Sequence, residues 1–263
     1  EQKLSGIEYP SLLYDGPFSD GIRQGTPRGI SGEEITAEQA VEAGRAFLGA
    51  DRAQRAADMQ GPIPCWGVAA QKGGVAVNMQ VTRQGGKILW MAPETAGFDA
   101  ALEMDACVER AQAFLAEHGF GRMQPSFTQQ YDGLAVVSFA AEQDGVILYP
   151  DLVKAQVRMD TGDVVGLEAN NFWMNHMQRE NLTPAVDESQ ALRAVSGRLT
   201  VTGARLCVIP VDDGLNSGKT EKLCWEIAGD WSGSRYLTYI DAETGEEEKV
   251  LKVVQGNGGT LTI

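Results

Sequence analysis

Along the chain, apolar positions change spacing in a way that recurs three times. From Thr36 to Leu48 the residues Ala40, Val41, Gly44, Phe47 and Leu48 fall on one helical face, and from Glu103 to Leu115 the residues Cys107, Val108, Ala111, Phe114 and Leu115 do the same. The two segments align without gaps and share Val41/Val108, Glu42/Glu109 and an Ala-Phe-Leu ending. A looser third copy runs from Asp187 to Leu199. Each predicts a short amphipathic helix with a face to be covered. Thr36-x-x-Gln39 and Asp187-x-x-Gln190 are capping boxes that satisfy free N–H groups of a first turn, and His118-Gly119 predicts the end of the second helix.

After each helix the period drops from about 3.6 to 2, with turn residues between the apolar runs. Strands are predicted over Trp66–Lys72, Val75–Arg83 and Lys87–Met91, joined by Gly73-Gly74 and Gly85-Gly86. The next pass has strands including Leu134–Ala141 and Leu152–Met159, with turns at Asp132-Gly133, Asp144-Gly145 and Asp160–Asp163. The last has Leu206–Val211, Leu223–Ala228, Tyr236–Asp241 and Lys249–Val254, with a turn at Glu243–Glu246. The fold class expected is α+β: three tandem units, each a helix packed on an antiparallel β-meander. The boundaries are an irregular arm over 1–34, units at 35–96, 97–172 and 187–255, a linker helix over 173–186 and a tail over 256–263. Units this small are expected to pack on one another.

Composition narrows function mainly by exclusion. Hydrophobic residues at 43% and charged residues at 22% describe an ordered chain. Lys and Arg number 22 against 36 Asp and Glu, a net charge of −14, which opposes nucleic acid and anionic lipid and makes any partner surface basic. Two separated histidines, His118 and His176, give little material for a histidine metal centre or a Ser/Cys–His hydrolase. No nucleophile elbow or phosphate loop is present. No metal site, cofactor or catalytic residue is assigned. Asp212-Asp213-Gly214-x-Asn216 lacks the ligand alternation of a calcium loop and reads as a turn. Cys65, Cys107, Cys207 and Cys224 have no CxxC spacing. Cys207 and Cys224 lie in neighbouring predicted strands and form a disulfide if the compartment is oxidising.

Two aromatic stretches are the candidates for partner contact. Tyr9, Tyr14 and Phe18 sit in an irregular segment that is either a lid on the first unit or a contact loop. Phe172, Trp173 and Met174, before the third helix, are either an inter-unit packing plug or a docking patch.

The motif Asp241-Ala-Glu-Thr-Gly-Glu246, closing a helix-plus-meander unit, resembles the PepSY domain, and Asp160-Thr-Gly-Asp163 is a shortened version. The stretches Tyr9–Asp20, Leu148–Lys154 and Asn170–His176 resemble the C-terminal region of the YpeB family of spore germination proteins. The resemblance implies a non-enzymatic protein, extracytoplasmic in the spore, that protects, localises or restrains a SleB-type cortex-lytic enzyme. It implies a missing membrane anchor and helical region as well. The opening at Glu1, without an initiator Met, agrees with a fragment or processed product. Peptidoglycan is a second expected partner. A carboxylate-based peptidoglycan hydrolase and a structural spacer are the rival readings.

Overall fold

The computed structural model describes residue 18 and residues 25–212, 219–256 and 259–262. Tyr9, Tyr14, most of the expected N-terminal arm and most of the Asp212–Asn216 turn lie outside the described residues. The chain runs α1 (Ala37–Leu48), β1 (Arg52–Ala56), β2 (Cys65–Lys72), β3 (Val75–Thr82), β4 (Ile88–Pro93), α2 (Met104–Glu117), β5 (Met123–Tyr131), β6 (Leu134–Gln143), β7 (Val146–Arg158) and β8 (Val164–Glu168). It continues with α3 (Asn170–Asn175), α4 (Glu188–Ala194), β9 (Thr200–Asp212), β10 (Lys219–Trp231), β11 (Ser234–Asp241), β12 (Glu247–Gly256) and β13 (Gly259–Thr262). It is an α+β protein with one large sheet and few helices.

Sequence chemistry explains the local structure. At the start of α1, Thr36 Oγ1 accepts from the Gln39 N–H at 3.3 Å and Gln39 Oε1 accepts from the Thr36 N–H at 2.8 Å. Asp187 and Gln190 repeat the exchange at α4, both bonds at 2.8 Å. Gly49 ends α1 in the left-handed conformation. Asp132-Gly133, Asp144-Gly145 and Ser232-Gly233 all have positive φ at both positions, the backbone that suits tight hairpins between twisted strands.

The helices lie close to the sheet because small residues face it. Ala40, Gly44 and Leu48 are buried in α1, and Cys107, Ala111 and Leu115, the matching positions, in α2. A Cβ on Gly44 would already stand 3.2 Å from Met79 and Val68. In the third segment only Ala191 is buried, and α4 stops at Ala194 instead of reaching Leu199. Val195 occupies the position of Gly44 and Ala111. A β-branched side chain does not fit that approach, and Val195 turns to extended backbone at φ −77°, ψ 155°.

The strand order is β1-β2-β3-β4-β8-β7-β6-β5-β13-β12-β11-β10-β9. All consecutive pairs are antiparallel; β9 also pairs in parallel with β7, at Ile147/Cys207 and Leu148/Val208. The sheet therefore closes on itself from β7 round to β9. Strand β1, Arg-Ala-Gln-Arg-Ala, is an edge strand that sequence periodicity did not predict; its two arginines discourage pairing with another chain. The expected linker helix over 173–186 is displaced to Asn170–Asn175, and residues 176–187 hold no helix. Pro184 and a chain committed to side-chain ties at Arg179 account for the extended path.

Candidate functional site

The most unusual chemistry sits where β7 leaves the first half of the sheet and meets β9 and β10. Strand β7 carries Tyr149, Pro150 and Asp151 there, and α3 packs against it. Phe172, Trp173 and Met174 are only 1, 7 and 2% exposed, so of their two readings, packing plug or docking patch, they form the plug. Phe172 packs on Phe120 at 5.0 Å and stacks with His176 at 4.2 Å, while the Trp173 Nε1–H donates to the Ile88 carbonyl at 2.9 Å. Their size and apolar faces made them candidates in sequence, and those same properties fill the junction of α3, β4 and β7.

Asp151 is fully buried yet ionisable, so it demands a cation. Arg179 provides one: Nη1 and Nη2 donate to the two Asp151 oxygens at 2.9 and 2.7 Å. The same guanidinium donates through Nε and Nη2 to Glu221 of β10, both at 2.8 Å. Asp151 Oδ2 also lies 2.7 Å from His176 Nδ1. One arginine in the 176–187 segment thus ties β7 to β10 with two fork-to-carboxylate contacts.

A second cluster lies beside it. Glu226, 4% exposed, accepts from Arg205 Nε at 2.7 Å and from the hydroxyls of Tyr149 and Tyr239, the latter at 2.9 Å. Arg205 Nη2 also donates to Tyr149 Oη at 2.9 Å. Burial, with the Glu226 charge added, pushes both tyrosine hydroxyls far above their ordinary range, so they remain donors. Phe18, the described member of the N-terminal aromatic trio, lies over this cluster, 5.3 Å from Tyr149 and 5.2 Å from Tyr239, with Lys249 Nζ 5.1 Å from its ring centre. The Phe18 ring thus packs between β7 and β11, not over the first helix-plus-meander segment.

Cys207 and Cys224 stand directly opposite each other in the β9–β10 register. Both are free, buried thiols. Burial, with the nearby Glu226 carboxylate adding to it, pushes Cys207 well above the ordinary thiol range, and burial pushes Cys224 up to about 12.

Chemically, these groups tie strands together. A general acid or base needs a proton to exchange with a bound substrate, whereas Asp151 and Glu226 spend their lone pairs on arginine and tyrosine donors beneath the surface. Among the described residues, no cluster of three or more His, Cys, Asp or Glu side chains is arranged to hold a metal ion. Nor is any described helix long and apolar enough to cross a membrane.

A family model described as "YpeB sporulation, PepSY1 and PepSY2 domains" matches residues 2–182, and one described as "Peptidase propeptide and YPEB domain" matches residues 185–251. The chain belongs to the YpeB family of sporulation proteins. It is similar to the sporulation protein YpeB of Halalkalibacterium halodurans, 34% identical over 66% of this chain and 38% of that one. Bacillus subtilis YpeB is 30% identical over 67% of this chain and 39% of that one. YpeB of Oceanobacillus iheyensis is 26% identical over 86% and 50%. The chain spans half or less of the length of these relatives. The solved C-terminal domain of Bacillus megaterium YpeB superposes with a TM-score of 0.74 at 26% identity, covering 86% of this chain and all of that one.

Within this YpeB-family chain, three of the resemblance motifs are structural parts. Leu148–Lys154 holds Asp151, Asn170–His176 is the plug, and Asp241 closes the β11–β12 turn by accepting from the N–H groups of Glu243 at 2.8 Å and Thr244 at 3.2 Å. Sequence reasoning missed Arg179, Arg205, Glu221 and Glu226. One signal was present: Asp151 interrupts an apolar strand, and a buried carboxylate there calls for an arginine partner.

Proposed function

We propose that this chain is a non-enzymatic docking module of spore germination, made of three PepSY-like units, that stabilises, places or restrains a SleB-type cortex-lytic enzyme at the extracytoplasmic side of the spore inner membrane. Family membership supports the sporulation setting. The three-unit reading is supported by the matching buried positions Ala40, Cys107 and Ala191. The observation that carries the binding reading over an enzymatic one is the state of the buried carboxylates. Asp151 and Glu226 are each locked by an arginine and are closed to a substrate.

The charge of −14 adds a sign to the partner. A basic face on the lytic enzyme meets this acidic surface, and association weakens as salt screens it. Titration calorimetry of the purified chain with a SleB-type enzyme across a salt series tests the reading. Saturable binding that falls with salt supports it. No binding at low salt removes the enzyme as the direct partner.

A further inference from the structure

The third helical segment leaves a part of the sheet uncovered that its two counterparts cover. Leu48 and Leu115 end α1 and α2 in the core, 1 and 0% exposed. Leu199, aligned with them, lies five residues beyond the end of α4 and lines an open pocket of about 270 Å³. Arg198, aligned with Phe47 and Phe114, lines it too, with Ser196, Trp231, Tyr236, Thr238, Glu247 and Val250.

Several polar side chains of this pocket are unspent, although the Ser196 hydroxyl accepts from the Arg198 N–H at 3.4 Å. Thr238 is 5% exposed, and its hydroxyl makes no hydrogen bond to any described residue. A buried hydroxyl without a partner costs stability, and such groups are rare in folded proteins. The side chains of Arg198, Tyr236 and Glu247 likewise have no hydrogen-bond or ion-pair partner among the described residues. Around them lie apolar surfaces: Trp231 is 46% exposed, Val250 44%, and the Trp231 and Tyr236 rings stand 6.1 Å apart at 47°, making an angled aromatic wall.

These features select a ligand class. A purely apolar ligand would leave the threonine hydroxyl and both charges unpaired. A strongly charged one meets both signs at once, Arg198 and Glu247. An extended peptide adding to a sheet lies in the plane of a free strand edge, such as Glu247–Lys252 of β12, which has only β11 beside it among the described residues, whereas Tyr236 and Thr238 of this pocket sit on β11, which is paired on both sides. What fits is a neutral ring with a flat apolar face, several hydroxyls, and an amide that offers a donor to Glu247 and an acceptor to Arg198 while its methyl meets Leu199 and Val250. The geometry points to a binding site for an N-acetylated pyranose unit of an oligosaccharide, on the face of the sheet beyond α4. This site requires no partner protein, so it stands apart from the docking of a lytic enzyme.

The test is titration of the full chain with N-acetylglucosamine trisaccharide, followed by calorimetry and by tryptophan fluorescence, with a neutral tetrapeptide in parallel. The trisaccharide binds saturably in the millimolar range or tighter, and Trp231→Ala weakens it about tenfold or more. Thr238→Val weakens binding about three- to tenfold while raising the melting temperature, because it removes the orphaned hydroxyl. A purely structural threonine would show neither the weakened binding nor that opposition of signs. No trisaccharide binding at millimolar concentration overturns the assignment, as does binding undiminished in both variants or binding of the tetrapeptide alone.

Discussion

The rings of Phe47 and Phe114 meet edge to face, 5.2 Å apart, from matching positions of α1 and α2. The two helices therefore lie side by side across the shared sheet, with His118 stacked on Phe114 at 4.0 Å and close to Phe47 at 4.4 Å. Strands β4 and β8, paired at Trp90/Glu168 and Met91/Leu167, join the strands under α1 to those under α2.

This contact predicts a measurable coupling. In a double-mutant cycle by urea denaturation, Phe47→Ala and Phe114→Ala are non-additive by about 0.5–1.5 kcal/mol. Additive losses would mean that the rings stabilise only their own helices.

Arg179 predicts a larger effect. Replacing it by Met leaves Asp151 buried and charged without its main partner, and the loss in unfolding free energy is about 3–5 kcal/mol. The double variant Arg179→Met with Asp151→Asn recovers part of the loss, because the uncompensated charge is gone. A single variant as stable as the parent chain would contradict the role given to this arginine.

Sequence discloses contacts made within a few residues and hides those made across the fold. Helix starts were legible because Thr36–Gln39 and Asp187–Gln190 act within four residues, and hairpins because Gly73-Gly74 or Asp132-Gly133 act within two. The extent of α4 was not, since Val195 is an unremarkable helix residue until Gly44 shows how near the sheet lies. The parallel β7–β9 contact and the Arg179 tie join residues far apart in the chain, and no periodicity encodes them. Phe172, Trp173 and Met174 show the same limit: an aromatic cluster on a helix reads alike whether it plugs a core or faces a partner.

Two glycines in equivalent hairpin turns separate backbone conformation from close approach. Gly133 and Gly145 have φ of +75° and +84°, but a Cβ on Gly133 would stand 1.8 Å from the Phe98 carbonyl oxygen, whereas nothing lies within 4 Å of one on Gly145. Gly145→Ala costs about 1–2 kcal/mol for the left-handed backbone alone. Gly133→Ala costs clearly more in the same denaturation assay; equal costs would refute the Phe98 contact.

Acid sensitivity is predicted at Asp241. Burial pushes its carboxyl up, but the Glu243 and Thr244 N–H groups and the Lys222 ammonium outweigh burial and hold it below its ordinary value. The folded-state pKa is thus depressed. Its contribution to stability is present above the unfolded value of about 4 and is lost as pH falls through the lower folded value. Asp241→Asn, measured by denaturant unfolding between pH 7 and 3, shows a shallower acid limb than the parent; an identical limb would remove Asp241 from the set.

All four cysteines are buried, and burial holds Cys65 at about 11 and Cys224 at about 12. A thiol reagent at pH 8 therefore titrates none of them promptly in the folded chain and all four in guanidinium. Two titratable thiols in guanidinium, without reductant, would instead mean that Cys207 and Cys224 are joined.

The proposal that this chain binds a cortex-lytic enzyme and hydrolyses no cortex itself meets its sharpest trial in the muropeptides released from purified spore cortex. The chain alone releases none above the buffer control, and adding it to a SleB-type enzyme changes that enzyme's rate of release. Release by the chain alone, rising with its concentration, would contradict the claim.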